Sequence, residues 1–206
     1  AGVLLFLTLA YYRFEKSPFD TKEIALLATL SAFAAISRIP FAAIPNVQPT
    51  TFIVALTGYV FGPFQGFLVG STTALLSNIF LGQGPWTPWQ MLAWGLVGAL
   101  SGFLGKRKNT LSVLSFSLLC FFFGFFFDWV MNLWFVVGYI RPLNLKTIGI
   151  AYLTGLSVDI MHGVGNYAFS LLLYEGFRTV LMRFKRRLHT TTIKELPKED
   201  FHHESL

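Results

Sequence analysis

Charge is scarce in this sequence. Asp, Glu, Lys and Arg make up 13% of its 206 residues, about half the share usual in a soluble globular chain, whereas 54% are hydrophobic and the mean hydropathy is +0.59. Too few charges remain to solvate a water-facing surface, which excludes a soluble domain and leaves an integral membrane protein. Cysteine is nearly missing. The lone Cys120 sits inside an apolar run, so a disulfide framework and a Cys-rich metal site are both excluded. Three of the four histidines, His189, His202 and His203, fall in the C-terminal tail. His162 is left as the one imidazole in the apolar region, too few donors for a transition-metal site. Neither a metal nor a cofactor is expected.

Motifs of energy and bond-breaking chemistry are missing as well. The nearest string to a Gly-x-x-x-x-Gly-Lys-Ser/Thr phosphate loop, Gly102-Phe103-Leu104-Gly105-Lys106-Arg107, lacks its spacing. No nucleophile elbow, His-Glu-x-x-His zinc signature or paired acid motif of a lipid-phosphate transferase occurs. The sequence reads as that of a protein without catalytic residues. Its net charge of +6 does not signal nucleic acid, because the cations neither cover one face nor alternate with stacking aromatics. They gather beside the ends of apolar runs, the pattern that marks cytoplasmic loops.

What is present is a succession of apolar stretches on the scale of the ~20 residues that cross a ~30 Å hydrocarbon layer. The expected architecture is an all-α, six-helix transmembrane bundle with an additional N-terminal helix. Residues 1–22 form a partial N-terminal helix and cytoplasmic linker, 23–187 the six-span domain, and 188–206 a cytoplasmic tail. Ala1–Tyr12 is apolar but too short to span and is expected to belong to a longer helix; the competing signal-peptide reading lacks a basic region before the run. The spans are expected over Glu23–Ile39, stopped by Pro40 and Pro45, then Thr50–Phe61, Phe64–Leu81, Met91–Gly105, Leu111–Gly138 and Thr147–Met182. The second and third are short for a crossing. The last is long, and Gly155, Gly163 and Gly165 offer places to bend.

Cation arithmetic orients the bundle. With Lys106–Lys108 in the cytoplasm, Arg13, Lys16, Lys22 and the cluster Arg183, Lys185, Arg186, Arg187 share that side. Among the loop and span-end cations, only Arg38, Arg141 and Lys146 fall outside. The segments carrying Asn46 and Gln48, then Gln83, Trp86, Trp89 and Gln90, then Arg141, meet at the external face and make a mouth.

Ionisable and amide side chains in hydrocarbon are functional candidates by default. Asp128 and Asn132 lie one turn apart on the fifth span; Asp159, His162 and Asn166 form one stripe on the sixth. Both clusters fall between the membrane middle and the external face, and Asn78 is placed to join them. They either bind a ligand or fix helix register, as an Asp128–His162 pair would. Trp86 and Trp89 are interfacial anchors or an apolar lid. On the first core span, Ala25, Ala28, Ala32 and Ala35 recur at i, i+3, i+7 and i+10, a small-residue stripe on which another helix docks, either of this chain or of a partner.

With these residues in view, the chain resembles the substrate-binding S components of energy-coupling factor (ECF) vitamin transporters over about Glu23 to Arg187. The resemblance rests on Ala28-x-x-x-Ala32, on Pro45-Asn46-Val47-Gln48-Pro49-Thr50 and on Gly82-Gln83-Gly84-Pro85-Trp86-Thr87-Pro88-Trp89-Gln90. It implies a six-helix bundle that captures a vitamin near its external face and docks on a shared transmembrane subunit driven by two ATP-binding cassette subunits. It also implies that the alanine stripe faces that subunit. The loops look most like the cobalamin type, with corrinoid precursors such as α-ribazole next; a flavin or purine derivative suits the same amides and rings. The N-terminal segment departs from family members that begin at the first core helix. An intramembrane enzyme using Asp128, Asp159 and His162, and a structural membrane protein, are the competing classes.

Overall fold

The computed structural model describes residues 1–108 and 110–195, with side chains up to residue 188. The tail expected over 188–206, including His189, His202 and His203, therefore lies outside the described side chains apart from Leu188. All regular structure among the described residues is helical: α1 Gly2–Glu15, α2 Thr21–Ile36, α3 Thr50–Phe61, α4 Pro63–Leu81, α5 Thr87–Arg107, α6 Val113–Tyr139 and α7 Leu145–Glu195, with a 3-10 turn at Ile39–Phe41.

Local chemistry explains the boundaries. Asp20 and Glu23 close a reciprocal capping box at the start of α2, with Glu23 N donating to Asp20 Oδ1 at 2.7 Å. α2 ends at Ile36, short of the expected Ile39, and Pro40 lies inside the 3-10 turn that follows. Gly62, at φ 117°, reverses the chain between α3 and α4, and Pro63 opens α4 where no backbone N–H is needed. α7 runs as one helix through Gly155, Gly163 and Gly165. Gly163 permits a close approach of α6: a Cβ on Gly124 of α6 would lie 2.8 Å from the Gly163 backbone.

By length and composition, α2 with its 3-10 extension, α4, α6 and the Leu145–Leu188 part of α7 are apolar enough to cross a membrane. α3, with 12 residues, rises only ~18 Å. It is the hub of the bundle, buried from Thr50 through Val60 and packed against α2, α4, α5, α6 and α7. Glycines let it sit there. A Cβ on Gly58 of α3 would lie 2.0 Å from Gly98 O of α5, and one on Gly66 of α4 would lie 2.4 Å from the same oxygen. Backbones meet here with no side chain between them, the close packing that associates helices in lipid. α1 lies against α4 and α5, with the Tyr11 hydroxyl 2.9 Å from Thr72 Oγ1.

The two ends of the bundle differ. At the basic end, Arg13 stacks over the Phe64 ring, Lys185 Nζ donates to Val60 O, the Tyr59 hydroxyl donates to Lys108 O, and Lys22 and Arg187 border one groove. The three basic clusters thus share one end. The opposite, loop end carries the α2–α3, α4–α5 and α6–α7 segments, joined by hydrogen bonds between the first two and by Trp86, Trp134 and Tyr139 in ring contact.

Candidate functional site

At the loop end the α2–α3 segment folds down onto α6 and α7. Asn46 adopts a left-handed φ of 56°, which asparagine tolerates better than most residues, and its Nδ2 donates to Asp128 Oδ1 at 2.9 Å. Val47 lies against Gly165, where a Cβ would come within 3.3 Å of its side chain. The same carboxylate receives His162 Nδ1 at 3.0 Å, and His162 Nε2 lies 2.9 Å from Thr51 Oγ1. Trp94 Nε1 donates to Thr51 Oγ1 at 2.9 Å. These roles close consistently with His162 protonated on Nδ1: it donates to Asp128, and its Nε2 accepts the threonine proton. His162 and Asn166 are fully buried, and Asp128 and Asp159 nearly so.

Asn166 has a separate task. Its Oδ1 accepts from Phe52 N in the first turn of α3, and its Nδ2 donates to His162 O at 2.9 Å. Pro49, which precedes α3, has no side-chain cap to offer, so an α7 residue satisfies one of the orphan N–H groups of α3.

A second cluster adjoins the first. Arg38 Nε donates to Gln48 Oε1 at 2.8 Å, and Nη1 donates to Ser77 Oγ and to Asn78 Oδ1. Asn78 Nδ2 donates to Thr87 Oγ1 and to Gln90 Oε1, and Thr87 Oγ1 donates to Gln83 Oε1. The guanidinium stacks 4.8 Å above the Trp94 ring, which links the two clusters. Asn46, Gln48, Asn78, Gln83, Gln90, Asp128, His162 and Asn166 are thereby brought into one polar layer.

The remaining candidates divide. Asn132 Nδ2 is buried without a hydrogen-bond partner, packed beside Gly155 one turn of α7 before the buried Asp159. Trp86 meets Trp134 edge-on at 6.2 Å, whereas Trp89 borders a cavity with the first residues of α1. The two loop rings thus have different neighbours. Of the alanine stripe, Ala25 and Ala28 are exposed, Ala32 is half-buried and Ala35 is 2% exposed within the bundle. Among the described residues no three His, Cys, Asp or Glu side chains gather as a metal site.

Sequence reasoning missed Thr51, Ser77, Thr87, Trp94, Trp134 and the central position of Arg38. A signal existed for Arg38 alone: with Arg141 and Lys146 it was one of three cations next to apolar spans on the side that the positive-inside pattern leaves bare.

A family model described as "ECF-type riboflavin transporter, S component" matches residues 18–178. Among curated relatives, a UPF0397 protein of Aliivibrio salmonicida is 30% identical over 135 residues, covering 63% of this chain and 72% of the relative. One of Vibrio atlanticus is 32% identical over 99 residues, 45% of this chain and 54% of the relative, so this chain spans about half of that protein's length. A UPF0397 protein of Lactococcus lactis is 40% identical over 68 residues, 32% of this chain and 37% of the relative. No solved structure matches the chain significantly. The family model covers the helices that build the polar layer, from α2 through Asn166 of α7, and on that match the chain belongs to the family of ECF-type riboflavin transporter S components.

Proposed function

We propose that this chain is the substrate-capture subunit of an ATP-driven ECF importer and takes a vitamin-type ligand at its loop end. The observation that carries the reading is the polar layer, which ties the α2–α3 segment, the start of α5 and the middle of α6 and α7 together at one end of an otherwise apolar bundle. Arg38, Gln48, Gln83, Trp86 and Trp134 are partly or fully exposed there, and Asn132 Nδ2 has no hydrogen-bond partner. His162 and Asn166 spend their polar atoms inside the chain, which supports a helix-joining role for them. The same saturation weighs against an intramembrane enzyme in which His162 serves as the base.

Six crossings by α2–α7, with α1 as an additional helix and a cytoplasmic C-terminus, follow if the basic end faces the cytoplasm. For the ligand we place cobalamin or a corrinoid precursor first, on the amide-rich loop end. Riboflavin is the second reading, and the description of the matching family supports it. The partners are a shared transmembrane subunit and two ATP-binding cassette subunits. Ala25 borders an apolar groove of about 570 Å³ between α2, α3 and α7 at the basic end, a surface suited to a partner helix, with Ala28 exposed one turn on.

Native mass spectrometry of the chain purified from cells supplied with both vitamins tests the reading. A corrinoid or flavin retained unchanged at one per chain is the expected result. A ligand recovered chemically altered, or none from any vitamin in an uptake assay with the partner subunits, overturns it.

A further inference from the structure

Arg38 is a half-buried cation without a counter-charge. The carboxylate of the polar layer, Asp128, is engaged elsewhere: its two oxygens take Asn46 Nδ2 and His162 Nδ1. Every partner of the guanidinium is neutral: the Gln48 and Asn78 amide oxygens, the Ser77 hydroxyl and the Trp94 ring face. Its bonds use Nε and Nη1, so the two hydrogens of Nη2 have no acceptor. Helix dipoles soften the charge and do not cancel it. Arg38 follows the C-terminus of α2, and Ser77 and Asn78 lie in the last turns of α4, but a helix end carries only about half an elementary charge.

A charge withdrawn from water with no opposite charge beside it is expensive. The neutral groups hold the guanidinium plane rigid against Trp94, whose own ring is fully buried, and leave one edge uncommitted. An oriented guanidinium edge is matched to the two oxygens of a carboxylate or phosphate. We infer that the ligand taken at the loop end carries an anionic group, a carboxylate or a phosphate, which Arg38 binds through Nη2. The inference rests on the capture reading above and narrows it. A phosphodiester, as in the nucleotide arm of cobalamin, meets the requirement; riboflavin, which is uncharged, does not.

The test uses inorganic phosphate on the purified full chain, so that it stands whether or not a vitamin is found. At equal ionic strength, phosphate in place of chloride should raise the melting temperature of the parent chain, because a ligand bound only to the folded state stabilises it. Arg38→Gln should lose that response, and Arg38→Lys, which keeps the charge without the planar fork, should retain a smaller one. With α-ribazole and its 5′-phosphate as a matched pair, the phosphate ester should bind the parent about ten- to a hundred-fold more tightly, the worth of a charge-assisted hydrogen bond. Absence of phosphate stabilisation in the parent, or an equal response in Arg38→Gln, overturns the inference even if a vitamin binds. Should Arg38→Gln fail to fold, an Arg38→Lys chain that responds as fully as the parent, together with equal binding of the two α-ribazole forms, overturns it as well. If phosphate stabilises through Arg38 while no vitamin is ever captured, the capture reading fails and the anion site stands.

Discussion

Asp128 of α6 and His162 of α7 meet at 3.0 Å, and each gives its second polar atom to the start of the α3 region, Asp128 to Asn46 and His162 to Thr51. The pair therefore joins three elements. Asp128→Ala strands two buried or half-buried donors at about 1–3 kcal/mol each. A melting temperature several degrees lower is expected, measured on the detergent-solubilised chain, with a smaller loss in ligand affinity among molecules that remain folded. A variant that melts like the parent but binds ten-fold more weakly would return His162 and Asp128 to the ligand.

Asn166 caps α3 from another helix. Asn166→Ala removes the acceptor for Phe52 N, and losing a helix cap costs about 0.5–2 kcal/mol. Hydrogen exchange should show the first turn of α3 opening sooner, with the α4–α5 contact unaffected. Unchanged protection at Phe52 would refute the capping role.

Close packing around Gly98 is expected to be intolerant. A Cβ there would lie 2.1 Å from Gly66 O, and backbone cannot step aside as a side-chain tip can. Gly98→Leu should destabilise by at least the ~1–3 kcal/mol of ordinary overpacking and lower the yield of folded protein. Gly138, with nothing within 4 Å of a Cβ, should accept alanine without loss.

The alanine stripe should split in two. Ala28→Leu acts on an exposed face, so uptake with the partner subunits should fall while ligand binding to the isolated chain holds. Ala35→Leu acts inside the bundle, so stability should fall first. Equal loss of binding and uptake in Ala28→Leu would mean that the exposed face serves this chain alone.

Orientation is checked with cysteines. Cys120 is fully buried and should stay silent to labelling. In intact cells, Arg107→Cys should resist a membrane-impermeant maleimide and Arg141→Cys should react. The opposite pattern would invert the bundle and move the polar layer to the cytoplasmic side.

Much of the helix plan was legible before any coordinates. The start and end of α3 were marked by Pro49 and Gly62, and the boundaries of α4 and α6 and the end of α5 by prolines, glycines and the Lys106–Lys108 cluster, because breakers and caps act within one turn of the chain; α5 instead begins at Thr87, four residues before the expected Met91, with Pro88 in its first turn, and α7 runs on to Glu195, past the expected Met182. The Asp159, His162, Asn166 stripe was visible as three polar residues at helical spacing. What each stripe member touches was not. Spacing places side chains on a face; it does not say which neighbour that face meets, so Trp86 and Trp89, three residues apart, were grouped although one turns to α6 and the other to α1. The Gly58, Gly66 and Gly98 contact escaped notice for the same reason, since its members come from three helices and none is unusual alone.

The sequence by itself determined the apolar, helical plan of this chain, the limits of α3 and α4, and the gathering of most of its cations at one end, because hydropathy, capping and charge are properties of short stretches. Only the tertiary structure decided which buried polar groups are satisfied by the chain and which are left with capacity to spare. That division depends on partners distant in sequence: Asn166 meets Phe52, 114 residues away, and His162 meets Thr51, 111 residues away. Arg38 reaches neutral partners on α4 instead of a carboxylate, and no local pattern encodes such a pairing.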